Sequence, residues 1–427
     1  MKRSVFAILA VLLSTAFASA PDTLWTRAYG GANDDVGRSM QLTADGGCII
    51  AGYTLSFGAG GSDVWLLKID AQGDTEWTRT YGGSSDDEAY SVDLTFDGGY
   101  IVAGMTRSYD AGWLLRLTAT GDTEWTRTFG GSSNGFGHSV RQVADSGYVV
   151  AGRAWPGQLL KYDALGDTVW TRAVGAGHFH CVRQATNGDF LLAGYDGYEG
   201  GDHCRTDSAG NLLWTRRTAL WGDLYGVALR PDNGSVVVGT DGSSFLFLEA
   251  YDSLGNRSWG KGFRPHPSYA FGNSVERAGD GYFAVGGFSF AGDDIYLVRV
   301  NLNGDSLWTK VIGGDSEDIG YAGQQTADSG FVVAGSTRSF GAGGSDVWLI
   351  RLEPEQIGIH EMPNDETRMT NGGPTILPLS NVQSLESMVI FDAMGRRTAN
   401  PKPGVYFVRE ARAQAQAQTV RKVVVTR

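Results

Sequence analysis

Imidazole and thiol side chains gather in one short part of this chain, as His178-Phe179-His180-Cys181 and Asp202-His203-Cys204. These are donors that Zn²⁺ or copper takes when they converge. His178, His180 and His203 are therefore the candidate metal ligands, with Cys181 and Cys204 beside them. The two cysteines could instead form a disulfide. A third reading involves no chemistry: Cys181 aligns with Ser39, Ser91 and Ser139 in related segments, where a small residue suits a crowded strand.

Oxygen donors form a second group. Asp34 and Asp35, Asp86 and Asp87, Glu317 and Asp318 lie in similar loops, and Asp63, Asp293 and Asp346 precede similar strands. Ca²⁺ needs several such oxygens together, but no D-x-D-x-D-G loop occurs, and capping of turns by aspartate is the competing role. Trp155, Trp221 and the Arg264-Pro265-His266-Pro267 stretch break the local pattern. Exposed aromatic and imidazole rings there would stack on a sugar, or simply fill gaps. Trp155, Trp221 and His266 are accordingly the candidate binding residues. G-x-S-x-G, H-E-x-x-H and P-loop motifs do not occur, so no catalytic residue is assigned. A carboxylate pair brought together from distant loops keeps a carbohydrate-active enzyme as the alternative.

The elements that position these groups follow from a repeat. Trp25, Trp77, Trp125, Trp170, Trp214, Trp259 and Trp308 recur at steps of 44 to 52 residues, and a period of that size marks a repeat architecture. Each unit also carries an apolar run after a tight turn, as in GGCIIAG, GGYIVAG and SGFVVAG. Alternation and turn residues divide every unit into four short strands, a to d. A four-stranded unit repeated radially is a β-propeller blade. The 62 glycines and the 11% aromatic content agree with many tight turns in an all-β chain.

The ends of the repeat complete each other. The chain supplies an isolated d strand at 22–29, and the last unit stops after strand c at 346–353. Pairing them yields seven blades and a closed ring over 21–353 without open edges, and the ring is expected to be monomeric. Each repeated Trp then acts as a wedge on an outer strand, packing against the next sheet or under its own blade. The segment from Lys68 to Trp77, KIDAQGDTEW, resembles the tryptophan-docking motif of quinoprotein-like propellers, with one residue fewer between Asp and Gly. That resemblance implies a fold and no chemistry.

Beyond the repeat, 354–385 reads as a linker rich in Pro, Asn, Gly and Thr. MVIFDAMGRR, PGVYFVR and VRKVVVTR follow in 386–427. These three motifs, in that order, resemble the type A C-terminal sorting domain of type IX secretion cargo. The resemblance implies a small β-sandwich-like domain, delivery through the type IX machinery, and a place outside a diderm bacterium or on its outer surface. At the other end, Lys2 and Arg3 precede the apolar stretch Val5 to Leu13 and the small-residue motif Ala16-Phe17-Ala18, so 1–20 reads as a secretory signal. No later run is long enough for a membrane helix. The formal charge of −12 argues against nucleic acid as a partner. An exported, non-catalytic binding or adhesion propeller for a glycan or surface protein is the expected function. No cofactor is required, and Ca²⁺ or Zn²⁺ are the ions these residues would take.

Overall fold

Short apolar runs punctuated by Asp-x-x-Gly turns leave the chain one economical arrangement, a succession of antiparallel four-stranded sheets. A computed structural model describes 19–355 apart from the loops 131–134, 154–156, 176, 196, 198–199, 219–221, 241–244, 266–268 and 290–292; beyond 355 it describes five strands between 375 and 426. The secretory signal read in 1–20 falls almost wholly outside the described residues, as does 356–374. Among the described residues, no helix is long and apolar enough to cross a membrane.

Seven four-stranded sheets follow one another. Blade 1 comprises strand a (Asp35–Leu42), b (Cys48–Thr54), c (Asp63–Ile69) and d (Thr75–Tyr81). Blade 2 runs from Asp87–Leu94 through Tyr100–Thr106 and Ala111–Leu117 to Thr123–Phe129. Blades 3 to 6 occupy 136–173, 178–217, 224–263 and 269–312. Blade 7 takes Asp318–Gln325, Phe331–Thr337 and Asp346–Leu352, and its fourth strand is Thr23–Tyr29 from the other end of the repeat. The register runs from Thr23 opposite Leu352 to Tyr29 opposite Val347. The protein is an all-β seven-bladed propeller closed by its N-terminal strand, as the repeat predicts.

The turns explain themselves locally. In the c-to-d turn of blade 1, Asp70 Oδ1 accepts from the N–H groups of Gln72 and Asp74 at 2.9 and 2.8 Å. Gly73 supplies the positive φ, +87°, that the turn requires. In the a-to-b turn, Asp45 Oδ1 accepts from the Gly47 N–H at 2.9 Å.

The core is not one mass but seven. Each buried apolar cluster fills one seam between neighbouring blades. At the closing seam, Val332, Ala334, Val347 and Leu349 of blade 7 meet Met40, Ile50, Trp65 and Leu67 of blade 1. Closure is therefore held by packing as well as by the strand ladder. A second repeated device sits in six of the seven blades. The buried cations Lys68, Arg116, Lys161, Arg205, Arg299 and Arg351 on strands c pair with Asp45, Asp97, Asp145, Asp189, Asp280 and Asp328 of the a-to-b turns. Blade 5 has Ala250 at that place, and Arg230 of its own turn pairs with Asp232 instead.

Residues 357–427 form a separate unit. Its described strands make one mixed sheet in the order Thr375–Pro378, Val420–Thr426, Gly404–Glu410, Met388–Phe391, Arg397–Thr398. Thr375–Pro378 runs parallel to Val420–Thr426, so a piece of the segment read as linker is strand. Among the described residues there is one sheet here and not the two layers of a sandwich.

Candidate functional site

The innermost strand of every blade carries a β-bulge at the same place. The ladder skips Arg38 between Gly37 and Ser39, Tyr90 between Ala89 and Ser91, and His138 between Gly137 and Ser139. It likewise skips His180, Tyr225, Asn273 and Tyr321 in blades 4 to 7. A bulged residue has no partner across the ladder and can be re-aimed. Here all seven line the central channel.

Five of them touch in sequence around the wall. The Arg38 guanidinium lies 4.7 Å from the Tyr90 ring, Tyr90 is 5.1 Å from His138, His138 is 5.0 Å from His180, and His180 is 5.0 Å from Tyr225. Glu88 Oε2 anchors the start, accepting from Arg38 Nη2 at 3.2 Å and from the Tyr90 hydroxyl at 3.1 Å. Burial, and then the neighbouring carboxylates Glu88 and Asp223, push the Tyr90 and Tyr225 hydroxyls well above the usual phenol range. The collar is thus a row of phenol and imidazole rings that begins at a guanidinium held by Glu88.

Beside the collar the strands bring Gln41, Arg141, Arg183, Glu276 and Gln324 to the wall. Arg141 pairs with Asp93 at 3.5 Å, and Arg183 of blade 4 pairs with Glu276 of blade 6. Gln324 Nε2 donates to Gln41 Oε1 at 2.8 Å, across the closing seam. Burial and then the nearby Arg183 lower the Arg141 pKa, whereas for Arg183 burial is outweighed by Glu276 together with Cys181 and Asp93, and its pKa is raised. The cavity along this wall has a volume of about 120 Å³ and is open to solvent.

The acidic residues gather at the end of the ring that bears the d-to-a and b-to-c loops. Asp35, Asp63, Asp87, Asp318 and Asp346 are buried there. Burial first, and then a facing carboxylate, raises the pKa of Asp63 beside Asp87 and of Asp346 beside Asp35.

Comparison with known proteins adds to the fold alone. No family model matches the chain. A stretch of 105 residues, 22% of the chain, is 27% identical to the regulatory protein FlaEY of Caulobacter vibrioides, and it spans 11% of that protein's length. Among solved structures, the WD40 β-propeller domain of Doa1 is similar with a TM-score of 0.53 at 12% identity, covering 75% of this chain and 95% of that one. A protein of unknown function from Bacteroides caccae covers 60% and is itself covered to 92%, at 13% identity and a TM-score of 0.42.

The residues singled out by sequence are placed as follows. Trp155, Trp221 and His266 lie outside the described residues. His180 stands in the collar. His203 is sealed between blades 4 and 5, where its Nδ1 meets the Leu192 carbonyl at 2.8 Å and its Nε2 meets Ser235 Oγ at 2.6 Å. With both ring nitrogens engaged in the blade seam, His203 does not join His178 and His180. Among the described residues, no three His, Cys, Asp or Glu side chains gather in a metal-holding group. Cys181 pairs with Ala193 while Cys204 pairs with Leu192, one residue on, so the two thiols occupy opposite faces of the sheet. They lie in different seams and are not bridged. Burial pushes the Cys204 thiol up to about 12, which keeps it a thiol. The small-residue reading of Cys181 fits its neighbours, since Ser39, Ser91 and Ser139 accept the Val92, Val140 and Val182 N–H of the next blade at 3.2 Å.

Six of the seven Trp anchors dock onto the c-to-d turn of the next blade, and Trp308 packs on Phe331 of blade 7 as well as on Phe283 of its own. A Cβ added to Gly73, Gly121, Gly166, Gly210, Gly255 or Gly304 would meet the indole of Trp25, Trp77, Trp125, Trp170, Trp214 or Trp259 at 2.6 to 3.1 Å. The collar itself was not anticipated. Its signal is the column preceding the small residue of strand a, which reads Arg, Tyr, His, His, Tyr, Asn, Tyr around the ring.

Proposed function

We propose that the chain is an exported, non-catalytic binding propeller whose ligand rests on the channel mouth. The observation that carries this reading is the unbroken row Arg38, Tyr90, His138, His180 and Tyr225, with contacts of 4.7 to 5.1 Å. Planar rings beside one guanidinium and one carboxylate suit the amphipathic face and hydroxyls of a sugar. Trp155, Trp221 and His266, the residues that break the repeat in sequence, would extend the contact. Export rests on the sorting-domain resemblance of 386–427 and the secretory signal in 1–20, which together give a place outside the cell or on its surface.

A glycan array probed with the full chain and with Tyr90→Ala/His180→Ala tests the reading. Glycan binding that falls at least about tenfold in the double variant, at unchanged melting temperature, is expected, since a stacked ring is worth about 1 kcal/mol. Undiminished binding would place the ligand elsewhere, and turnover of a polysaccharide would move the reading to an enzyme.

A further inference from the structure

Two seams on either side of blade 1 bring carboxylates face to face. Asp35 opens strand a of blade 1 and Asp346 opens strand c of blade 7; both are buried. A Cβ added to Gly30 would fall 1.8 Å from Asp346 Oδ1 and 2.8 Å from Asp35 Oδ2. The two carboxylates therefore converge beside a residue whose missing side chain leaves them room. The next seam repeats the arrangement, for a Cβ at Gly82 would fall 2.0 Å from Asp63 Oδ1 and 2.9 Å from Asp87 Oδ2. The loops that build the two places are nearly the same words: GGANDD and GGSSDD before strands a, and GAGGSD twice before strands c.

Turn capping explains half of each carboxylate. The N–H groups of Gly31, Ala59, Gly83 and Ala342 donate to Oδ2 of Asp35, Asp63, Asp87 and Asp346 at 2.7 to 2.8 Å. Capping does not explain Asp346 Oδ1, the oxygen beside Gly30 that faces Asp35, which is buried without a hydrogen-bond partner; at the other seam the oxygen left so is Asp87 Oδ1, while the Oδ2 nearer Asp63 is capped. A buried acceptor left so is costly, and two facing carboxylates add repulsion. Among the described residues no cation offsets either pair: Arg338 and Arg107 reach the outer neighbours Asp34 and Asp86, at 3.9 and 3.6 Å.

We infer that Asp35 with Asp346, and Asp63 with Asp87, each hold a Ca²⁺ ion that ties blade 1 to its neighbour. Two carboxylates match the charge of a divalent cation. The donors shown here are carboxylate oxygens, which suits a large hard ion of flexible coordination and not Zn²⁺. One of these ions would sit on the seam where the two ends of the ring meet, and would reinforce closure there. The inference does not depend on what the channel mouth binds.

The full chain, freed of metal with a chelator, is titrated with Tb³⁺ and with Ca²⁺. Trp65 and Trp348 stand two residues beyond Asp63 and Asp346 and should sensitise Tb³⁺ luminescence that Ca²⁺ quenches by displacement. Calorimetry should show one ion fewer in Asp346→Asn, one fewer in Asp87→Asn and two fewer in the double variant. Millimolar Ca²⁺ should raise the wild-type melting temperature more than that of the double variant. A Ca²⁺ count unchanged by both substitutions overturns the inference. So does a wild-type melting temperature indifferent to Ca²⁺, a result that needs no variant to fold.

Discussion

The indole of Trp25, on the strand that closes blade 7, lies across Gly73 in the c-to-d turn of blade 1, where a Cβ would fall 3.0 Å from its Cη2 atom. The Arg27 guanidinium lies over the indole, 5.7 Å from the ring centroid, and the Tyr29 hydroxyl donates to the Gly73 carbonyl at 2.6 Å. Gly121, Gly166, Gly210, Gly255 and Gly304 receive the indoles of the preceding blades in the same way, so the repeated Trp is a hinge pin between units. Half-burial of an indole, on the order of 100 Å², contributes about 2–3 kcal/mol per seam at about 25 cal/mol/Å².

Trp125 and Gly166 should be energetically coupled. Gly166 has φ +81°, and a Cβ would lie 2.9 Å from the Trp125 ring. Gly166→Ala should cost about 2–3 kcal/mol, part backbone strain and part clash, and Trp125→Ala about 2–4 kcal/mol. In the double variant the clash disappears, so urea unfolding should show a loss smaller than the two single losses together by about 1 kcal/mol. Strict additivity would mean that the indole leaves the turn in solution.

Blade 7 has no c-to-d turn, and Glu355 stands in for it. Its Oε1 accepts from Trp308 Nε1 at 2.7 Å and from Arg299 Nε at 3.0 Å, and both donors belong to blade 6. Arg299 is 1% exposed. Glu355→Ala should therefore cost about 2–4 kcal/mol by leaving a buried guanidinium short of a partner, read as a shift of the denaturation midpoint. A loss below about 0.5 kcal/mol would mean that Asp280 alone satisfies Arg299.

Periodicity of two and a Trp every blade made the ring, its count and its closure legible in the sequence, because each of those features repeats seven times. The channel was not legible in the same way. A strand pattern puts His178 and His180 on one face, whereas the bulge at His180 shifts the alternation and turns that ring into the channel. Nor did the pattern of strand c show that Lys68 and Arg116 would be buried, since their partners Asp45 and Asp97 arrive from a turn about 20 residues earlier. Pairing across the blade decides their place, and single-strand alternation does not contain it.

Removal of 386–427 should separate folding from delivery. The propeller has its own seams and ladder, and its contacts cluster apart from those of 357–427. The truncated chain should keep its melting temperature but accumulate in the periplasm of a host with type IX secretion. Equal extracellular amounts of truncated and full-length protein would count against the C-terminal segment as an address.

His203 should make the protein acid-sensitive over a defined window. It replaces the leucine that Leu66, Leu114, Leu159, Leu248, Leu297 and Leu349 supply in the other blades, and it faces Ser235 where most blades begin strand b with an aromatic residue. Burial, with Arg205 and Arg216 nearby, lowers its pKa from 6.5 to about 4. The neutral ring is the folded form, so its contribution is complete above pH about 6.5 and is lost as pH falls toward 4. The loss is up to about 3 kcal/mol. His203→Leu/Ser235→Phe restores the pairing of Leu159 with Phe190 found one seam earlier. Urea midpoints measured from pH 7 to pH 4.5 should fall less steeply in that double variant, and identical slopes would show that carboxylates alone set the acid response.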